Sequence, residues 1–171
     1  MKSSICSRLG VVLMLAISPL LTASGGAPST DACVRVGFER LAGFKYSGPQ
    51  NSPAETNPPT KGEFIPAEIR ALNGKKVIVR GYMVPVKLEG GLAVEFLLTK
   101  DPMACCFGLS PYVNDWIIVR MAKGVTPTME VPLMFDGTLR VGELWDTGWL
   151  TGIYLLEGDT GPLPNDDESI R

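Results

Sequence analysis

Residues 76–86 read KVIVRGYMVPV. The run is long, apolar and rich in β-branched side chains, which lose rotamer freedom on a helix and pack well on a pleated sheet. Gly81 interrupts it, and a glycine inside a strand marks a bulge or a bend. A strand this apolar must be covered on at least one face, so its neighbours decide the fold.

Those neighbours are short and strand-like. EGG at 89–91 makes a hairpin to LAVEFLLTK, 92–100, which places Val94, Phe96 and Leu98 on one face. DWIIVRMA (115–122), EVPLMFDGTLRV (130–141) and TGIYLLEGD (151–159) follow. Asp136-Gly137 is read as a glycine bulge in one bent strand, because the flanking halves are short for a hairpin. Upstream, IPAEIRALNGKK (65–76) has Pro66 where a first helical turn tolerates it and Asn73-Gly74 where a left-handed stop fits. Ile69 and Leu72, three apart, face the core. Five strands, one short helix and bend glycines predict an all-β domain of small α content: a five-stranded antiparallel barrel, closed or half-closed, with an open sandwich as the alternative.

A chain of 171 residues suffices for one such domain. The barrel is assigned to 64–159. Residues 26–63 form an N-terminal extension. Within it ACVRVGFERLAGFKY (32–46) is ordered enough to pack across an open end or edge, and the Pro/Ser-rich 47–63 reads as a linker or long loop. Residues 160–171 make an acidic C-terminal tail. No internal repeat is visible.

Residues 1–25 read as a signal peptide. Lys2 and Arg8 form the basic start, GVVLMLAISPLL the apolar centre, and ASGG at 23–26 the small residues for cleavage. The apolar run is shorter than the ~18 residues that span a bilayer. The expectation is therefore export to the periplasm or beyond, with no transmembrane segment in the mature chain; a retained anchor is the alternative. Losing Lys2 and Arg8 would move the net charge from −2 to −4. That balance argues against nucleic acid and against anionic membrane surfaces.

The chain has no histidine. This removes Ser–His and Cys–His nucleophile pairs and the commonest transition-metal ligand. No glycine-rich phosphate loop is present. Attention falls on DPMACCFGLSP, 101–111, with adjacent Cys105 and Cys106. Export would remove Cys6 and leave these two with Cys33, an odd number in a compartment where disulfides persist. A vicinal disulfide is not expected, because neighbouring Cα atoms are closer than a relaxed bridge requires. Four readings stay open: small buried hydrophobes, a bridge from one of the pair to Cys33, a redox thiol pair, or a metal site. In the last, Cys105 and Cys106 hold zinc or copper(I), with Cys33 as a third ligand. Trp116 lies in an apolar strand and reads as core; Trp145 and Trp149 read as packing rather than as a ligand-stacking pair.

LNGKKVIVRGYMVPV, VEFLLTKDPMACCFGLSPYVNDWIIV, VPLMFDGTL and GIYLLEGD, in this order and spacing, resemble the bacterial family known as domain of unknown function 3299. The resemblance spans roughly residues 64–159. It implies an exported protein with a small OB-like β-barrel. It also implies a loop site bearing a cysteine at Cys105, a histidine at the position of Phe107, prolines around Pro111 and an asparagine at Asn114. This chain keeps Cys105, Pro111 and Asn114 but has Phe107 in place of the histidine and Cys106 in place of an apolar residue. If the family site binds metal, Cys106 takes over as ligand or the site is lost. The resemblance names no reaction and no cofactor. The functional expectation is an exported non-enzymatic binding or accessory module. Its partner would be an envelope protein or a metal ion handled by a transport system. A thiol redox protein acting through Cys105 and Cys106, or a structural envelope protein, are the alternatives. Protein recovered from the cell envelope should begin near Gly26, read by intact mass; material that retains Met1 would point to the anchor instead.

Overall fold

The structure is a computed structural model that describes residues 33–50, 62–102 and 112–164. Its elements in chain order are β1 (Val34–Arg35), α1 (Phe38–Leu41), α2 (Ala67–Arg70), β2 (Lys75–Glu89), β3 (Leu92–Thr99), β4 (Trp116–Val125), β5 (Pro132–Asp146) and β6 (Trp149–Gly158).

The spine is β2. Its first half pairs with β5, from Lys75 opposite Leu139 to Tyr82 opposite Pro132. Its second half pairs with β3, from Tyr82 opposite Thr99 to Glu89 opposite Leu92. The change of partner falls at Tyr82, next to Gly81. A Cβ at Gly81 would lie 2.7 Å from the Thr99 carbonyl oxygen and 2.8 Å from the Leu98 side chain. Gly81 thus marks a bend with close backbone approach. The irregularity in the β2–β3 ladder sits further on, between Pro85 and Leu88.

The strands run in the order β2-β3-β4-β6-β5, and the β2–β5 pairing closes them into an OB-like barrel. Four pairs are antiparallel and β4–β6 is parallel, with Ile118 opposite Leu155. The sequence reading has every pair antiparallel. A closed ring of five strands cannot alternate direction all the way round, so at least one seam must be parallel. β1 adds a sixth strand, parallel to β2 at Val77 and Ile78.

Two tight hairpins set the register. Gly90 and Gly91, at φ +59° and +82°, form the two-residue turn expected at EGG. Thr147 and Gly148, at φ +47° and +82°, make a second one, with Asp146 opposite Trp149. The last two strands are therefore longer than their apolar cores suggest. Asp136-Gly137 stays within one strand, as read, but its ladder with β2 carries no register shift there. Gly137 is needed for another reason: a Cβ would meet the Glu157 carbonyl oxygen at 2.3 Å. On β3, Phe96 and Leu98 are buried as expected, but a shift between Ala93 and Glu95 brings Ala93 rather than Val94 fully inside.

The N-terminal segment packs onto the barrel. Phe38 and Leu41, three apart on α1, are buried, and the described residues hold two short helices where the sequence suggested one. The Tyr154 hydroxyl, inside the core, donates to the Leu41 carbonyl at 2.9 Å. α2 follows Pro66, buries Ile69 and gives way to a turn that ends on Gly74 at φ +76°. Both ends of the proline-rich stretch are tied to the β5–β6 pair. Leu150 N–H donates to the Gln50 carbonyl at 3.0 Å, and Gly62 N–H to the Glu143 carboxylate at 2.8 Å.

Two stability predictions follow from this packing. Gly137→Ala should cost more than ~1 kcal/mol by overpacking, whereas Gly142→Ala, in the same strand with nothing within 4 Å of the added carbon, should be near neutral. Equal urea midpoints would contradict the close crossing of β5 and β6. Tyr154→Phe should cost ~1–3 kcal/mol, because the Leu41 carbonyl is left buried without a donor. Burial raises the Tyr154 hydroxyl pKa above the usual phenol value of ~10, and burial with Glu143 beside it does the same to Tyr46. A raised pKa in the fold means that this stability is complete below pH ~10 and declines as pH rises further. Tyr154→Phe should flatten that alkaline decline in a series of melting temperatures.

Candidate functional site

At the end of β3 the chain turns out of the barrel. Thr99 Oγ1 donates to the Asp101 carbonyl at 2.9 Å, fixing the exit. The chain returns through a tight turn in which Asp115 N–H donates to the Tyr112 carbonyl at 3.0 Å. That turn carries Val113, Asn114 and Asp115 into the interior just before Trp116 opens β4.

Two polar side chains are thereby buried side by side. Asn114 is 1% exposed and its Nδ2 donates to the Phe44 carbonyl at 2.6 Å. This bond joins the turn to the N-terminal segment. Its Oδ1 is buried and has no hydrogen-bond partner among the described residues. A buried acceptor left unpaired is costly and uncommon. Asp115, 6% exposed, pairs with Lys100, whose Nζ lies 2.9 Å from Oδ1. The Lys100 side chain remains partly in solvent.

Around these groups opens a cleft of about 340 Å³, lined by Ala42–Lys45, Lys100, Tyr112, Asn114 and Asp115. A second, of about 330 Å³, shares Lys100 and is lined by Gly37–Glu39, Arg80–Tyr82 and Pro132. The N-terminal segment thus contributes a wall to each.

Of the sequence candidates, Asn114 is in the cleft. Cys105, Cys106, Phe107 and Pro111 lie outside the described residues. Cys33 is exposed, with a free thiol, just ahead of β1. β1 pairs with β2 at Val77, and the exit from β3 lies beside Tyr82; five residues of strand separate these positions by roughly 17 Å. Among the described residues no group of three histidine, cysteine, aspartate or glutamate side chains is placed to hold a metal. Trp116 is core as read, its indole N–H donating to the Thr151 carbonyl at 3.0 Å. Trp149 departs from the packing expectation and is 62% exposed. Sequence reasoning missed Lys100, Asp115, Phe44 and Lys45. The two walls lie some seventy positions apart, as the Asn114–Phe44 bond measures, and no local pattern links them.

Asn114→Ala should destabilise the fold by ~1–3 kcal/mol, since the Phe44 carbonyl loses its donor, and should speed hydrogen exchange at residues 43–46. Asn114→Asp should cost more, because it sets an acceptor against that carbonyl. Denaturant unfolding with site-resolved exchange checks both; wild-type exchange at 43–46 in Asn114→Ala would mean that the bond does not hold this wall.

Comparison with known proteins agrees with the architecture. No curated protein matches the chain. A crystal structure at 2.45 Å of a DUF3299 family protein from Pseudomonas aeruginosa PAO1 is similar in fold, with a TM-score of 0.55 and 21% sequence identity. The match covers 79% of this chain and 99% of that one. The family described as "Protein of unknown function (DUF3299)" matches residues 50–159, well over half of the chain. This chain belongs to the DUF3299 family.

Proposed function

We propose that this protein is an exported, non-enzymatic binding module that works at the end of the barrel where β3 exits and β4 begins. The observation that carries this reading is the open cleft at that end, lined by Asn114, whose buried oxygen has no hydrogen-bond partner among the described residues. Cys105 and Cys106 lie in the sequence between Lys100 and Tyr112, and Lys100 and Tyr112 both line that cleft. Binding rather than catalysis is favoured by the donor set. The chain has no histidine, and the buried carboxylate of the cleft is engaged by Lys100. No nucleophile with an adjacent base is assembled among the described residues of the cleft.

The ligand of the cysteine pair is proposed to be a soft metal ion. Structural zinc asks for four ligands in a tetrahedron. With no histidine, a zinc site here would have to add carboxylates to the thiolates. Copper(I), which soft thiolates select, is the better match. A partner in the cell envelope, one that delivers or receives the ion, fits an exported module of this size.

Titration of the purified mature protein with copper(I), against a competing chelator, tests the assignment. Tight stoichiometric binding is expected, and it should be lost in both Cys105→Ser and Cys106→Ser. Zinc should bind more weakly. Absence of copper(I) binding to the reduced wild type would sink the metal reading.

A further inference from the structure

We infer that the tip of the β2–β3 hairpin pairs with the same tip of a second copy of this chain, edge to edge and antiparallel, with Leu88 on the two-fold axis. The pairing uses neither the cleft nor the cysteines.

An open strand edge is the first observation. β2 pairs with β5 only as far as Tyr82, and β1 touches it only at Val77 and Ile78. From 83 to 89, β3 is its one strand neighbour among the described residues. The other edge therefore presents main-chain groups to any strand that comes alongside. Residues 86–92 are exposed throughout, so the tip stands clear of the barrel.

The direction of those groups is the second. Glu89 lies opposite Leu92 across the turn at Gly90-Gly91, and residues flanking a two-residue turn bond to each other. Bonding direction alternates along an antiparallel strand. Leu88, opposite Ala93, consequently turns its N–H and C=O away from β3 to the open edge. No turn or loop among the described residues bonds to them. A second Leu88, run antiparallel, meets them with the same two groups, and two identical bonds close across the axis.

The third is charge. With Leu88 on the axis, Lys87 stands opposite the partner's Glu89, and Glu89 opposite the partner's Lys87. Opposite charges directly across two strands stabilise the pair, and like charges oppose it. In one chain Lys87 and Glu89 lie 2.7 Å apart and are 63% and 60% exposed, so both can reach a partner. Other registers fit worse. An axis at Lys87 sets lysine against lysine. An axis at Val86 sets Lys87 opposite proline and leaves Glu89 without a cation.

A second copy would also cover apolar surface. Val86 is 58% exposed, Leu88 55% and Leu92 42%. Pro85, with no N–H to donate, ends the ladder after a few residues, so the contact closes as a dimer and does not extend. The charges of the tip cancel, which gives an anionic membrane surface nothing to attract. About five residues a side is far below a standard interface, so the dimer is weak, with a Kd of ~0.1–1 mM.

The test uses the mature protein, labelled with ¹⁵N, reduced and free of metal. Sedimentation equilibrium and the Leu88 amide signal are followed from ~0.02 to ~2 mM, a range that brackets the expected affinity. Wild type is expected to dimerise, with the Leu88 N–H shifting over the same concentrations. Lys87→Glu and Glu89→Lys change exposed side chains whose own ion pair adds little to the fold. Each sets like charges across the axis and should dimerise at least tenfold more weakly. An equal mixture of the two variants should associate like wild type, and so should the chain that carries both changes. Cys105→Ser should dimerise like wild type, whatever the copper(I) titration shows. A monomer over the whole range would overturn the inference. So would single variants that dimerise like wild type, a mixture no tighter than its parts, or dimerisation without a Leu88 shift. Binding to phosphatidylglycerol vesicles without self-association would replace the second copy with a membrane.

Discussion

One strand must serve two partners. β2 bonds to β5 along its first half and to β3 along its second, and the barrel closes only because the chain can change partner at Tyr82 without a clash. Gly81 makes the change possible, since the Thr99 carbonyl and the Leu98 side chain occupy the space that a Cβ would need. Gly137 plays the matching part on β5, where the backbone at Glu157 crosses closely. These two residues let a small sheet coil tightly enough for Phe96 and Phe135 to meet at 4.9 Å between ring centres.

Closure then dictates where chemistry can sit. Strands whose edges are paired into a ring leave the connections at its ends for binding. At one end, the exit from β3 and the entry to β4 bring Lys100 and Asp115 together. The N-terminal segment supplies the missing wall. It is held by the Asn114 bond to Phe44, by the Tyr154 bond to Leu41 and by its pairing with β2. The same contacts that stabilise the segment therefore shape the cleft. Asn114 stands at that join: its nitrogen holds the wall, and its buried oxygen has no hydrogen-bond partner among the described residues.

Much of the barrel was legible in the residues. The apolar β-branched run at 76–86, the EGG turn and the Asn73-Gly74 stop are local signals, and each appears where it was read. Boundaries were less legible. The β5–β6 hairpin at Thr147-Gly148 hides between polar-looking flanks, because Trp149 faces solvent instead of packing. The switch from Val94 to Ala93 in the core was invisible, because a register shift belongs to a pair of strands and not to either one alone.

The sequence by itself determined the five strands of the barrel and the helix before them, through side-chain shape, alternation and turn glycines that act over a few residues. It also determined what chemistry is absent, since a chain without histidine cannot hide one. Only the tertiary structure decided the parallel seam between β4 and β6, the crossings that require Gly81 and Gly137, and the meeting of Phe44 with Asn114. These are contacts between residues far apart in the chain. They arise from closing a ring of five strands, and no local preference of either partner encodes them.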